Sequence, residues 1–96
     1  MKSQKETYLQ KIEVQLNGWS SRIDELKEIA EEDEHERVRH EKELQTLNEK
    51  EKAARVQLEE LKSADEDSWQ DYKMRMDNAI AELRKSVQSL FVDLYS

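Results

Sequence analysis

Apolar residues recur along this chain in alternating steps of three and four. From Leu9 those steps reach Ile12, Leu16, Trp19, Ile23, Leu26 and Ala30, which share one narrow stripe of a helix. Such spacing is the seam of a left-handed coiled coil. The same phase runs on through Asp33, Arg37 and His40, where the seam turns polar, and becomes apolar again at Leu44 and Leu47. Glu51, Ala54, Leu58 and Leu61 continue it. Beyond Leu61 the steps change to four, four and three, carrying the stripe through Asp65, Trp69, Tyr72, Met76, Ile80, Leu83, Val87, Phe91 and Leu94. Leu61, Tyr72, Leu83 and Leu94 stand eleven apart, a repeat that predicts a nearly straight second helix.

The stretch Ser63-Ala64-Asp65-Glu66-Asp67-Ser68 holds several helix-capping residues, and Ser63 with Glu66 fits a capping box. The period changes at the same place, so a turn is expected over about residues 63–66. Glu31 to Arg37 contains no Gly, Pro, Ser or Asn, and is expected to stay helical. The pattern therefore predicts one domain spanning residues 1–96, with a helix over about 5–62 and another over about 67–95. At 1.5 Å per residue the first would measure roughly 85 Å and the second about half that. A simple hairpin then leaves the Leu9–Ala30 stripe uncovered, and an exposed apolar stripe of that length calls for a partner. Gly18 is expected to make room for the Trp19 ring or for a close neighbouring helix.

The fold class expected is all-α, a long helical hairpin or coiled coil. The favoured assembly is an antiparallel dimer with three-helix cross-sections, in which each N-terminal half packs on the partner's hairpin. If residues 31–37 instead formed a loop, the same contacts would close within one chain as a monomeric spectrin-like three-helix bundle, a domain-swapped relative of the dimer. One continuous helix in a two-stranded coil is the third arrangement. Parallel and antiparallel pairing stay open, because no decisive charge pattern flanks the seam.

Composition supports this reading. Among the 96 residues there is one Gly and no Pro, and 41% are charged. Turns and hairpins are thereby disfavoured, and strong helix formers dominate. The chain has no Cys, which excludes disulfides and thiolate metal sites. Its net charge of −7, with no basic cluster, disfavours nucleic acid as a partner. No apolar run is long enough for a transmembrane segment or a signal peptide. The expected localisation is cytoplasmic.

Little of the sequence suggests chemistry. Glu32-x-x-His35 has the spacing found in di-iron bundles, but such a site needs core-facing carboxylates on other helices, so no metal ligands are assigned. Asp33, Arg37 and His40 sit on the seam and read as a polar layer that fixes register. The four stripe aromatics Trp19, Trp69, Tyr72 and Phe91 read as core, with Met74 and Met76 filling gaps. Two thin helices offer no cleft for an acid–base pair, so no catalytic residue and no cofactor are expected.

The pattern resembles a group of small bacterial coiled-coil domain proteins of no known activity. The likeness rests on Tyr8-x-x-Lys11, Leu16-x-x-Trp19-x-x-x-Ile23-x-x-Leu26, Leu58-x-x-Leu61, and Trp69 followed by Ala79-x-x-x-Leu83. Such relatives often carry Gly in the turn where this chain has Ala64 to Asp67, and a second C-terminal Trp where it has Ile80. The resemblance implies a helical oligomer and brings no site residues with it.

The function expected is a non-enzymatic structural or protein-interaction module. It would self-associate, as a homodimer or higher homo-oligomer, or bind another helical protein. The seam assigned to this role comprises Ile12, Leu16, Trp19, Ile23, Leu26, Leu44, Leu47, Leu58, Leu61, Trp69, Tyr72, Met76, Ile80, Leu83, Val87 and Leu94. Binding of the amphipathic stripe to lipid or another surface is the first alternative, with Val87–Tyr95 the most apolar stretch; a metal-binding bundle is the second.

Overall fold

Ser3 starts the first helix by accepting a hydrogen bond from the Glu6 backbone N–H at 3.1 Å, and this cap leads into α1, Gln4–Glu31. In the computed structural model, which describes residues 3–95, α1 is followed by α2 (Glu34–Arg39), α3 (Glu41–Ser63) and α4 (Trp69–Tyr95). The architecture is all-α, and the described residues form no strand.

The helix expected over 5–62 is not continuous. Asp33 adopts an extended conformation (φ −124°, ψ 114°), and its carboxylate accepts from the His35 N–H at 2.9 Å. That side chain caps α2 where the chain breaks from α1, between Glu32 and Glu34. Aspartate ends helices by the same mechanism as Ser and Asn, because its short side chain competes for backbone donors. The absence of Gly, Pro, Ser and Asn from this stretch was therefore not sufficient for continuity. A second, gentler interruption falls at His40, which closes α2 and opens α3.

At the other reversal, Ser63 is the last residue of α3 rather than a cap, and α4 begins at Trp69. The expected capping box with Glu66 does not form. Instead the Asp65 carbonyl accepts from the Ser68 and Trp69 N–H groups at 3.1 and 3.0 Å.

The three long helices pack on one another within about 50 × 21 × 18 Å. Lys5 donates to the carbonyls of Lys62 and Ala64, so the start of α1 meets the end of α3. Tyr8 meets the first turns of α4, and Arg22 meets Phe91 near its end. α1 and α4 thus run parallel, and both oppose α3. A polar bridge sets the α1–α3 register: Arg55 donates to Ser20 and Asn17 at 2.8 and 3.2 Å, and Ser20 donates to Glu51 at 2.8 Å.

The core is continuous from Ile12 to Leu90. Ile12, Leu16, Ile23, Leu26 and Ala30 are all buried, against the chain's own α3 and α4. The stripe that a hairpin would have left uncovered is covered within one chain, in the closed arrangement that a bend near residues 31–37 permits. On α4 the buried residues Met76, Ile80, Leu83, Val87 and Leu90 alternate steps of four and three. The stripe expected there packs in the core from Trp69 to Val87 and again at Leu94, and departs from the packing at Phe91, whose place Leu90 takes. Leu90 is fully buried, whereas Phe91 is 41% exposed.

Candidate functional site

The residues assigned to a self-association seam line the interior of the bundle within one chain. Ile12, Leu16, Ile23, Leu26, Leu47, Leu58, Leu61, Trp69, Met76, Ile80, Leu83 and Val87 are buried; Trp19, Leu44, Tyr72 and Leu94 are half-buried and pack against them. The polar layer divides. Asp33 and Arg37 are exposed, while His40 alone is buried, at 2%. Asp33 leaves the seam because it caps a helix, and Arg37 lies in α2, none of whose residues is buried.

Two surface features gather aromatic, cationic or metal-ligating side chains outside the core. The first is a groove between α1 and α4. One portion, about 420 Å³, is lined by Gln15, Gly18, Trp19, Arg22, Ile80 and Arg84. The adjoining portion, about 460 Å³, is lined by Trp19, Arg22, Val87, Gln88, Phe91 and Val92. Phe91 and Val92 are exposed here, and the Arg22 guanidinium lies 5.8 Å from the Phe91 ring centre. Phe91 also stacks on Tyr95 with ring centres 4.7 Å apart. Gly18 faces open space: beyond its chain neighbours and its own helix backbone, a Cβ built there meets no atom within 4 Å. It therefore makes room for no close neighbouring helix of this chain. Of the apolar residues in the Val87–Tyr95 stretch offered as a lipid face, Val87 and Leu90 are buried, Leu94 is half-buried, and Phe91, Val92 and Tyr95 are exposed. No described helix is long and apolar enough to cross a membrane.

The second feature surrounds His40. Its Nε2 lies 3.0 Å from a Glu36 carboxylate oxygen and its Nδ1 lies 3.4 Å from one of Glu43. Asp93, from the last turns of α4, completes the cluster: one ligand atom each of His40, Glu43 and Asp93 fall within 4.8 Å of one another. Burial, reinforced by the neighbouring Asp93 carboxyl, pushes the Glu43 carboxyl above its ordinary range, and His40 pulls in the opposite direction. His40 was legible as a seam position. Asp93 was not, because nothing in the linear pattern brings residue 93 beside residue 40.

Tyr8 is a third position that periodicity alone did not single out. Its hydroxyl donates to Asp77, lies 3.3 Å from the Lys73 carbonyl, and its ring is 6.2 Å from that of Trp69. Burial raises the phenol above its usual value, and the hydrogen bond and charge of Asp77 add to this. A raised folded value means that the contribution is fully present below the ordinary phenol range near 10 and is lost as pH climbs through the folded value. Tyr8→Phe is therefore expected to lower stability by about 1 kcal/mol at neutral pH. It is also expected to flatten the decline above pH ~10. Urea melts of both proteins between neutral and strongly alkaline pH check this. Parallel curves would show that Tyr8 does not couple to the fold.

Comparison with protein-family models, curated proteins and solved structures finds no match to this chain.

Proposed function

We propose that the chain is a non-enzymatic protein-interaction module that docks an acidic amphipathic helix in the groove between α1 and α4. One observation carries the reading. In a chain with 23 Asp and Glu against 16 Lys and Arg, the groove is lined by two arginines and no carboxylate. Those arginines flank a floor of Trp19, Ile80, Val87, Phe91 and Val92. An apolar floor with cationic sides fits a helix that presents an apolar stripe between acidic flanks. Gly18 supports the reading too, since a missing side chain on the rim lets a partner backbone approach closely.

The test uses a synthetic amphipathic peptide with leucine on one face and glutamate on its flanks, titrated calorimetrically into the full chain. Saturable, salt-sensitive binding is expected, weakened roughly tenfold or more in Arg22→Glu/Arg84→Glu. Gly18→Ala separates folding from docking. It should stabilise the helix by about 0.5–1 kcal/mol, because Gly18 is helical and unobstructed, yet it should weaken the peptide. Absence of binding, or binding indifferent to the arginine reversals, overturns the reading. Light scattering on the same samples separates a peptide complex from self-association of the chain.

A further inference from the structure

We propose that His40, Glu43 and Asp93 form a binding site for a divalent transition-metal ion of the zinc class. His40 is the one buried polar residue among those described, and both of its ring nitrogens face carboxylates. A neutral imidazole carries one N–H, so it donates to only one of them. The 3.0 Å contact to Glu36 is the shorter of the two and fits an Nε2–H donating to that carboxylate, the tautomer that frees Nδ1 for a metal. Nδ1 then faces the Glu43 carboxylate at 3.4 Å. A cation between the two, a proton on Nδ1 or a metal ion, removes the repulsion between lone pair and carboxylate.

The spacing suits such a cation. Two ligands of a tetrahedral ion, each bonded at roughly 2.1 Å, stand roughly 3.4 Å apart. Asp93 supplies the third ligand from another helix. The mixed nitrogen and oxygen set, with one imidazole, fits zinc, cobalt or iron better than calcium or magnesium, which favour oxygen alone. Glu36 takes the place of the outer carboxylate that orients a metal-bound imidazole through its far nitrogen. It is itself 3.9 Å from the Arg39 guanidinium. His40 is thus held by Glu36 on one side and faces Glu43 and Asp93 on the other. A metal here would fasten the end of α4 to the junction of α2 and α3. The di-iron pattern of Glu32-x-x-His35 plays no part: both residues are exposed.

The experiment is calorimetric titration of EDTA-treated, dialysed full-length chain with zinc chloride, with cobalt chloride followed by visible absorption as a readout of coordination geometry. One ion per chain is expected. Asp93→Asn, at an exposed position that the fold tolerates, should weaken binding at least tenfold. Glu36→Gln should weaken it roughly 10- to 100-fold. His35→Gln should leave it unchanged. Proton-detected nitrogen shifts of the His40 ring should show Nδ1 changing on addition of zinc. No saturable zinc binding, binding indifferent to Asp93→Asn, or binding lost in His35→Gln overturns the proposal. So does a His40 ring protonated on both nitrogens at neutral pH, which would make the node a plain imidazolium–carboxylate cluster.

Discussion

Leu90→Ala is expected to cost about 3 kcal/mol of folding stability, and Phe91→Ala, one residue along, less than about 1 kcal/mol. Leu90 is fully buried on α4, the helix that packs against both α1 and α3. Its truncation removes apolar contacts and leaves a cavity that close-packed neighbours fill only in part. Phe91 is the larger side chain, yet it lies in the groove, keeps 41% of its surface in water and touches mainly Tyr95 and Arg22. In a domain of this size 3 kcal/mol is a large part of the total, and should lower the melting temperature by roughly 12–24 °C. Urea and thermal melts of the two variants decide the matter. A Phe91→Ala loss equal to that of Leu90→Ala would mean that the end of α4 is rotated, with Phe91 rather than Leu90 facing the core.

That comparison also shows where the sequence was ambiguous. From Val87 to Leu94 the chain can step four and three through Phe91, or three and four through Leu90, and both routes arrive at Leu94. Adjacent residues on a helix differ by only 100°, so the pattern cannot choose between two large apolar neighbours. Packing chose the branched aliphatic residue for the interior and left the aromatic at the surface, where it builds the groove. Upstream there was no such choice: polar residues flank Ile12, Leu16, Ile23 and Leu26, and all four are buried as the spacing requires. The groove was hidden for a related reason. Trp19 lies on the stripe and read as core, but the half of its ring left uncovered depends on how α1 and α4 are rotated. The His40 cluster needed the chain reversals themselves, since only they bring Asp93 to His40.

Removing the Asp33 cap is expected to favour a swapped dimer. The break between α1 and α2 occupies two residues and is capped by one side-chain hydrogen bond, from the His35 N–H to Asp33 at 2.9 Å. α2 buries none of its residues, so little packing resists a rearrangement of it. Glu, Arg and His surround the bend, and all of them accept a helix. Were residues 31–40 to straighten, α1, α2 and α3 would merge into one rod of roughly 90 Å. Two such chains would bury the same stripes against each other that one bent chain buries alone. The balance between the two forms then rests on the bends. An N-cap Asp contributes about 1 kcal/mol, and a dimer replaces two bends, so Asp33→Ala shifts dimerisation by about 2 kcal/mol. That is a dissociation constant lower by roughly 30-fold. Asp33→Asn, which preserves an acceptor at the cap, should behave as the parent chain does. Light scattering with small-angle X-ray scattering over a concentration series measures both mass and length. A 50 Å particle for the parent, and a rod of twice its mass for Asp33→Ala, is the expected pair of results. If Asp33→Ala stays compact and monomeric at every concentration, the bend is fixed by the packing of α1 on α3 and α4 rather than by its cap. A rod-like dimer of the parent chain at low concentration would mean instead that helix continuity outweighs the cap even when Asp33 is present.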